Sequence, residues 1–191
     1  MRIEFIAQAG VKIHTAHGSI LCDPWFNPAY YASWFPYPRN DGLDHAALGA
    51  TDYLYISHLH RDHFDPEWLA RWCSKEAVVI LPAYPLPELR EALSGLGFHR
   101  FIETASGVPV QHGGLTLVVE ALTAPTDGPI GDSALLVDDG VEERLLRGVR
   151  AGRVLRMPLH GDAPVVVRGL DALDDAVRRD RKSTRLNSSH T

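Results

Sequence analysis

Polar and apolar residues alternate over Arg2–Ala7, and short strand-like runs follow at Val11–His14 and Ser19–Cys22. Gly10 closes the first run, and Ala16-His17-Gly18 forms a turn between the other two. A period of two sends successive side chains to opposite faces, so these runs predict a short antiparallel meander. Residues 24–45 break the pattern; rich in proline and aromatics, they predict a long loop. Tyr53–Ser57 is a short apolar run that suits a buried strand. Asp65-Pro66 then opens a helix, because the Asp65 carboxylate can accept from free backbone N–H groups and Pro66 fits the first helical position. Trp68, Leu69 and Trp72 follow at helical spacing and give it an apolar face. Ala77–Leu81 predicts another buried strand, and Pro87–Leu93 a helix that stops near Gly95 or Gly97. Phe98–Glu103, Val108–Gln111, Leu115–Ala121 and Ala134–Val137 read as further strands, with a hairpin turn at His112-Gly113-Gly114. A strand-rich start followed by strand–helix alternation predicts a layered α/β protein with mixed sheets.

Composition narrows the picture. The chain has 191 residues and an apolar fraction of 45%, enough for one domain with a real core, with or without a tail. A net charge of -5 gives no reason to expect a nucleic-acid partner. Cys22 and Cys73 stand in no Cys-x-x-Cys or Cys-x-His pattern, which argues against a disulfide framework or an iron–sulfur motif. No signal peptide is visible and no stretch has the length of a membrane span, so a cytoplasmic protein is expected.

The chain is not uniform. All of its aromatic residues lie at or before Phe101. Residues 1–140 are acidic, whereas 141–191 are basic, rich in Arg and Val, and free of aromatics. We read 1–140 as the folded part and 141–179 either as out-of-frame sequence or as the divergent end of a domain with a basic, disordered tail. Residues 180–191 look like a translated adaptor, to be left out of fold reasoning.

The chemistry is concentrated in Ser57-His58-Leu59-His60-Arg61-Asp62-His63, where four ligand-type side chains fall within six residues. A helix cannot gather His-x-His, because positions i and i+2 point apart on it. An extended or turned segment can, since i and i+2 then share a face. The strand before the loop and the capped helix after it clamp both ends, which is the preorganisation a metal site needs.

This His-x-His-x-Asp-His pattern after an apolar strand resembles the signature of the metallo-β-lactamase superfamily. Leu21-Cys22-Asp23-Pro24-Trp25-Phe26 is similar to an element that follows that family's third strand. Trp34-Phe35-Pro36 and the run from His58 to Pro66 resemble a branch related to the hydrolase-like domain of CMP-N-acetylneuraminate hydroxylases. The resemblance covers roughly residues 1–140. It implies an αββα sandwich, incomplete here in its C-terminal half, with two divalent metal ions at one edge of the sheets. His58 and His60 would hold one ion, Asp62 and His63 the other. Zinc is the first expectation, with iron or manganese as alternatives. A hydroxide between the ions would be the nucleophile, oriented by Asp62, because a metal lowers the pKa of bound water to about 7.

The chain departs from the family downstream. Where a third histidine is usual, Asp127 stands in Thr123-Ala124-Pro125-Thr126-Asp127-Gly128, either as an oxygen ligand favouring a harder metal or as a turn residue. His112 could substitute, although its Gly-Gly context fits a turn. For the last Asp and His, His160 and Asp162 are the nearby candidates, in surroundings unlike the family's. No Rieske-type Cys-x-His pair is present, so a complete monooxygenase is not expected in this chain alone.

Around the loop, Asp23 is either a carboxylate behind a ligating histidine or a turn former. Ser57 reads as structural, and His14 and His17 as surface residues. Arg61 meets an anionic substrate or water. The aromatic stretch Trp25 to Tyr37 is a pocket wall, a dimer interface, or a loop packed on its own small core. The expectation is a metal-dependent hydrolase acting on a small molecule, of sugar-nucleotide or lactone kind, with no nucleic acid, no membrane span and homo-oligomers open. The alternatives are an iron-dependent redox or oxygenase-related protein, and a truncated, non-catalytic fragment.

Overall fold

A computed structural model describes residues 1–122 and 132–140, together with a two-residue strand at 166–167. Asp127, His160, Asp162 and the adaptor-like tail lie outside the described residues.

The first sheet has six strands in sequence order: β1 (Arg2–Ala7), β2 (Gly10–Thr15), β3 (Gly18–Cys22), β4 (Tyr53–Tyr55), β5 (Val78–Pro82) and β6 (Phe101–Thr104). β1 to β3 form the expected antiparallel meander, and β3 to β6 run parallel. Parallel neighbours need crossover connections. The connections carry α1 (His45–Gly49), α2 (Pro66–Trp72) and α3 (Glu88–Gly95). The second sheet is ordered β10-β9-β8-β7, from β7 (Val110–His112), β8 (Leu115–Leu122), β9 (Asp132–Asp138) and β10 (Val166–Val167).

Strand alternation divides the core in two. Leu21, Leu54, Val79 and Leu81 point to one face and pack with Leu48, Trp68, Leu69, Leu89 and Leu93 of the helical layer. Ile20, Cys22, Tyr53, Tyr55, Val78 and Ile80 point to the other and meet Leu115, Leu117, Val119, Leu135 and Val137 of the second sheet. The result is an α/β protein with a helix layer and two stacked sheets, the first three layers of an αββα sandwich. Among the described residues no helix is long and apolar enough to cross a membrane.

Several boundaries differ from the sequence reading, each for a local reason. β4 stops at Tyr55, not Ser57, because the Ser57 N–H is taken by the Asp23 carboxylate at 2.7 Å and leaves the ladder. β6 starts only at Phe101, since Phe98 turns inward under α3 as a buried core residue. α1 was not expected. It forms because the Asp44 side chain accepts from the Ala47 N–H at 3.0 Å. Gly49 lets α1 lie against the end of α2: a Cβ there would overlap the Trp72 carbonyl.

The other end of α1 is closed by a buried lysine. Lys12 on β2 donates from Nζ to the carbonyls of Ala47, Leu48 and Ala50 at 2.7, 3.1 and 3.1 Å. Burial lowers its pKa from the usual lysine value. Lys12→Met keeps the stem and leaves the α1 carbonyls without this donor. It is expected to cost about 1–3 kcal/mol in urea unfolding, with α1 the first element to lose amide protection.

Candidate metal centre

β4 delivers the chain into the histidine loop, and α2 receives it. Asp65 fixes the receiving end: buried, it accepts from the Trp68 N–H at 3.0 Å and caps α2. Between these anchors His58, Asp62 and His63 are buried, while His60 and Arg61 face solvent.

The hydrogen bonds decide which ring atoms are available. The Asp23 carboxylate, itself buried, accepts from Ser57 N–H at 2.7 Å and from Ser57 Oγ–H at 2.7 Å. With its proton spent there, Ser57 Oγ is an acceptor. It lies 2.9 Å from His58 Nδ1 and 3.2 Å from His63 Nδ1. His63 Nδ1 also reaches Asp23 Oδ2 at 2.9 Å, and His58 Nδ1 reaches Asp132 Oδ1 at 3.2 Å. Acceptors therefore surround both Nδ1 atoms, which places the ring proton on Nδ1 and turns the Nε2 lone pair away from them. This is how a metal-binding histidine is usually oriented by groups behind it.

The outward donor atoms fall into two pairs. His58 Nε2 and His60 Nδ1 lie 2.9 Å apart, and His63 Nε2 and Asp62 Oδ2 lie 3.7 Å apart. The His58 and His63 rings are neighbours, with centroids 4.2 Å apart. Among the described residues no three His, Cys, Asp or Glu side chains gather into one metal-sized group. Each pair gives two donors where an ion takes four to six, and the balance would come from water, substrate or other sequence. The donors are imidazole nitrogen and carboxylate oxygen, a set that suits iron and manganese as well as zinc.

The structure also sorts the other candidates. Asp23 is the carboxylate behind His63, and it occupies a left-handed conformation (φ 42°) that aspartate tolerates. Ser57 is the hub that ties both histidines to Asp23. His112 is not at the site. It bonds the Tyr53 hydroxyl at 3.1 Å, at the end of β4 opposite to His58. His17 is exposed, and His14 pairs with Glu4 at 3.0 Å on the meander. Asp139 is buried 3.9 Å from the Met1 amino group, at the far end of β9.

Sequence reasoning missed the part that two residues play here, although Tyr30 stood in the aromatic stretch. Asp132, at the start of β9, brings the second sheet to His58. Asp132 pairs in register with Leu122 at the end of β8. Tyr30 donates from its hydroxyl to Asp62 Oδ1 at 3.0 Å. Neither had a local signal, because each partner lies far away in the chain.

The aromatic stretch divides. Trp25 is buried, and Phe26 stacks on Trp68 at 4.5 Å and 11°. Tyr30, Tyr31, Trp34, Phe35 and Tyr37 are exposed. The small-core reading therefore accounts for Trp25 and Phe26 and not for the rest.

The cysteines do not form a cluster site. Cys22 lies in the core between the sheets and Cys73 in the core under the helices. Burial pushes the Cys73 thiol up to about 12 and raises that of Cys22 well above its ordinary value, so both stay protonated at neutral pH. A Rieske-type 2Fe–2S centre takes two cysteine thiolates and two histidines. Two inert thiols in separate cores do not fit it.

No family model matches the sequence. It is 57% identical over 144 residues to a "Putative Rieske 2Fe-2S iron-sulfur protein" of Mycobacterium tuberculosis H37Rv, covering 73% of this chain and 28% of the relative. A relative of the same description from Mycolicibacterium smegmatis is 56% identical over 147 residues, covering 74% and 28%. The chain thus spans little more than a quarter of the curated relatives it matches. Among solved structures, it resembles CmlA, a diiron β-hydroxylase from Streptomyces venezuelae, with a TM-score of 0.53 and 20% identity over 73% of this chain and 27% of that one. Isothiocyanate hydrolase from Delia radicum gut bacteria gives a TM-score of 0.53 and 13% identity, covering 95% and 80%. Igni18, a metallo hydrolase from Ignicoccus hospitalis KIN4/I, gives 0.51 and 18%, covering 72% and 56%. At such identities these likenesses show the fold, which is that of the metallo-β-lactamases.

The expectation of metal-dependent hydrolysis is corrected at this point. The relatives that share more than half of the matched residues are named for an iron–sulfur centre, which points to redox chemistry. The hydrolases are related at the level of fold alone. The preference for zinc falls with the hydrolytic reading.

Proposed function

We propose that this chain is the metallo-β-lactamase-fold part of an iron-dependent redox protein, which holds iron at the His58–His63 loop and exchanges electrons with an iron–sulfur centre carried on other sequence. One observation carries this reading. The relatives are named for a 2Fe–2S centre, yet the chain spans 28% of their length and its two cysteines are buried in separate cores. The cluster then belongs elsewhere, and the nitrogen and oxygen donors of the loop remain as the metal site here.

His58 and His60 hold one ion in this reading, and Asp62 and His63 a second. Iron bound there would supply one-electron chemistry. The chain's own residues hold the site in place. Asp23 and Ser57 keep the Nδ1 protons on His58 and His63, and Asp132 brings in the second sheet. Arg61, exposed between the ligands, offers a positive charge to an anionic small-molecule substrate.

The test is a redox titration of the chain loaded anaerobically with ferrous iron and followed by electron paramagnetic resonance. Iron that cycles reversibly between ferric and ferrous, with no 2Fe–2S signal from this chain, is the expected result. Iron that binds but cannot be cycled, or a chain that rejects iron, overturns the reading.

A further inference from the structure

Tyr30, Tyr31 and Ala32 all occupy the left-handed region, at φ 49°, 57° and 58°. L-residues other than asparagine and aspartate seldom visit it singly, and a run of three is rarer still. Such a run persists only where its surroundings over-determine it. Here they do. Ala29 and Trp34 exchange backbone hydrogen bonds at 3.0 and 3.3 Å across the turn. Ser33 donates from N–H and from Oγ to the Tyr30 carbonyl at 3.2 and 2.5 Å. The Tyr30 ring meets the Trp34 ring edge to face, with centroids 5.2 Å apart. The turn is anchored upstream by Asp65, which accepts from the N–H groups of Phe26 and Asn27 at 3.0 and 2.8 Å.

One consequence of this conformation is where it puts the Tyr30 hydroxyl: 3.0 Å from Asp62 Oδ1. The other oxygen, Oδ2, faces His63 Nε2. We infer that Tyr30 is a positioning residue for the metal centre: its hydroxyl occupies Asp62 Oδ1 and so presents Oδ2 alone, making Asp62 a one-oxygen ligand beside His63. The inference rests on the proposed metal site and adds to it the group that sets the denticity of its carboxylate. Without that hydrogen bond Asp62 is free to rotate and bind through both oxygens, which changes the coordination number of the second ion and leaves the His58–His60 ion alone.

Cobalt(II) reports this directly, because its visible absorption depends on coordination number. The full chain and Tyr30→Phe are titrated with cobalt(II), and the melting of both is measured metal-free. Trp34→Ala, which removes only the ring that steadies Tyr30, is the second variant. The expected result for Tyr30→Phe is an altered absorption band for the second cobalt equivalent and an affinity lower by about 10-fold or more. The first equivalent and the metal-free melting point stay as in the wild type, and Trp34→Ala shifts the same band by less. A Tyr30→Phe spectrum and affinity equal to wild type overturn the inference while leaving the metal site standing. A fall in metal-free melting with both equivalents weakened alike assigns Tyr30 to structure and overturns it too. Wild-type chain that takes up no cobalt overturns the site itself.

Discussion

Asp23→Ala is expected to lower stability by about 3 kcal/mol and metal affinity by about 10- to 100-fold. Three donors converge on this buried carboxylate: Ser57 N–H, Ser57 Oγ–H and His63 Nδ1–H, at 2.7, 2.7 and 2.9 Å. Alanine leaves a buried backbone N–H without this acceptor, and such a loss costs about 1–3 kcal/mol by itself. Alanine is also poorly suited to the left-handed backbone at φ 42°, which adds about 1 kcal/mol. The metal effect follows a different route. Released from Asp23, Ser57 Oγ–H can turn to either histidine, and His63 loses the acceptor that kept its proton on Nδ1. Asp23→Asn separates the two effects. Asparagine accepts the left-handed backbone and keeps one oxygen acceptor, so most of the stability returns. It cannot accept all three hydrogen bonds, so metal affinity stays low. Urea unfolding and metal titration on both variants check this, and equal recovery of stability and affinity in Asp23→Asn would contradict it.

Asp65→Ala carries an effect of similar size with a different signature. Asp65 Oδ1 accepts from Trp68 N–H and Asn27 Nδ2–H, both at 3.0 Å, and Oδ2 from the N–H groups of Phe26 and Asn27 at 3.0 and 2.8 Å. The helix cap contributes about 1 kcal/mol. The remaining bonds tie the aromatic loop to α2, bringing the expected loss to about 3 kcal/mol in urea unfolding. Asp65→Ser keeps a cap and abandons the loop, so it should recover about 1 kcal/mol and no more. Hydrogen exchange gives the second readout. Phe26 and Asn27 amides lose protection in both variants, while the Trp68 amide loses it only in Asp65→Ala. Full recovery by serine would mean that the loop contacts contribute nothing.

These two aspartates also show what the sequence could and could not disclose. Asp65 was legible as a cap, because capping is local and Pro66 follows it. Its hold on Phe26 and Asn27 spans almost forty residues and left no local trace. Asp23 was legible as one of two roles, and only the approach of His63 decides between them. The His58–His63 loop stood out because its donors are contiguous and lie between a buried strand and a capped helix. Tyr30 and Asp132 stayed hidden for the opposite reason: their partners come together through the loop fold and through the packing of the second sheet. The apolar runs of β4 and β5 were readable as buried strands, whereas the division of their side chains between two cores came only with the packing. Hydrolysis was the misreading. Imidazole and carboxylate ligands fix a metal site without fixing its reaction, and the relatives rather than the residues turned the reading toward redox chemistry.

Under the proposed function the His58–His63 loop holds iron. Elemental analysis of the chain purified from cells grown with both iron and zinc, beside His60→Ala prepared in the same way, tests it most directly. Iron at about one equivalent or more in the wild type, in excess over zinc, is expected, with its loss in His60→Ala while the fold is kept. Folded wild-type chain that carries zinc in place of iron, or iron that persists undiminished in His60→Ala, would contradict it.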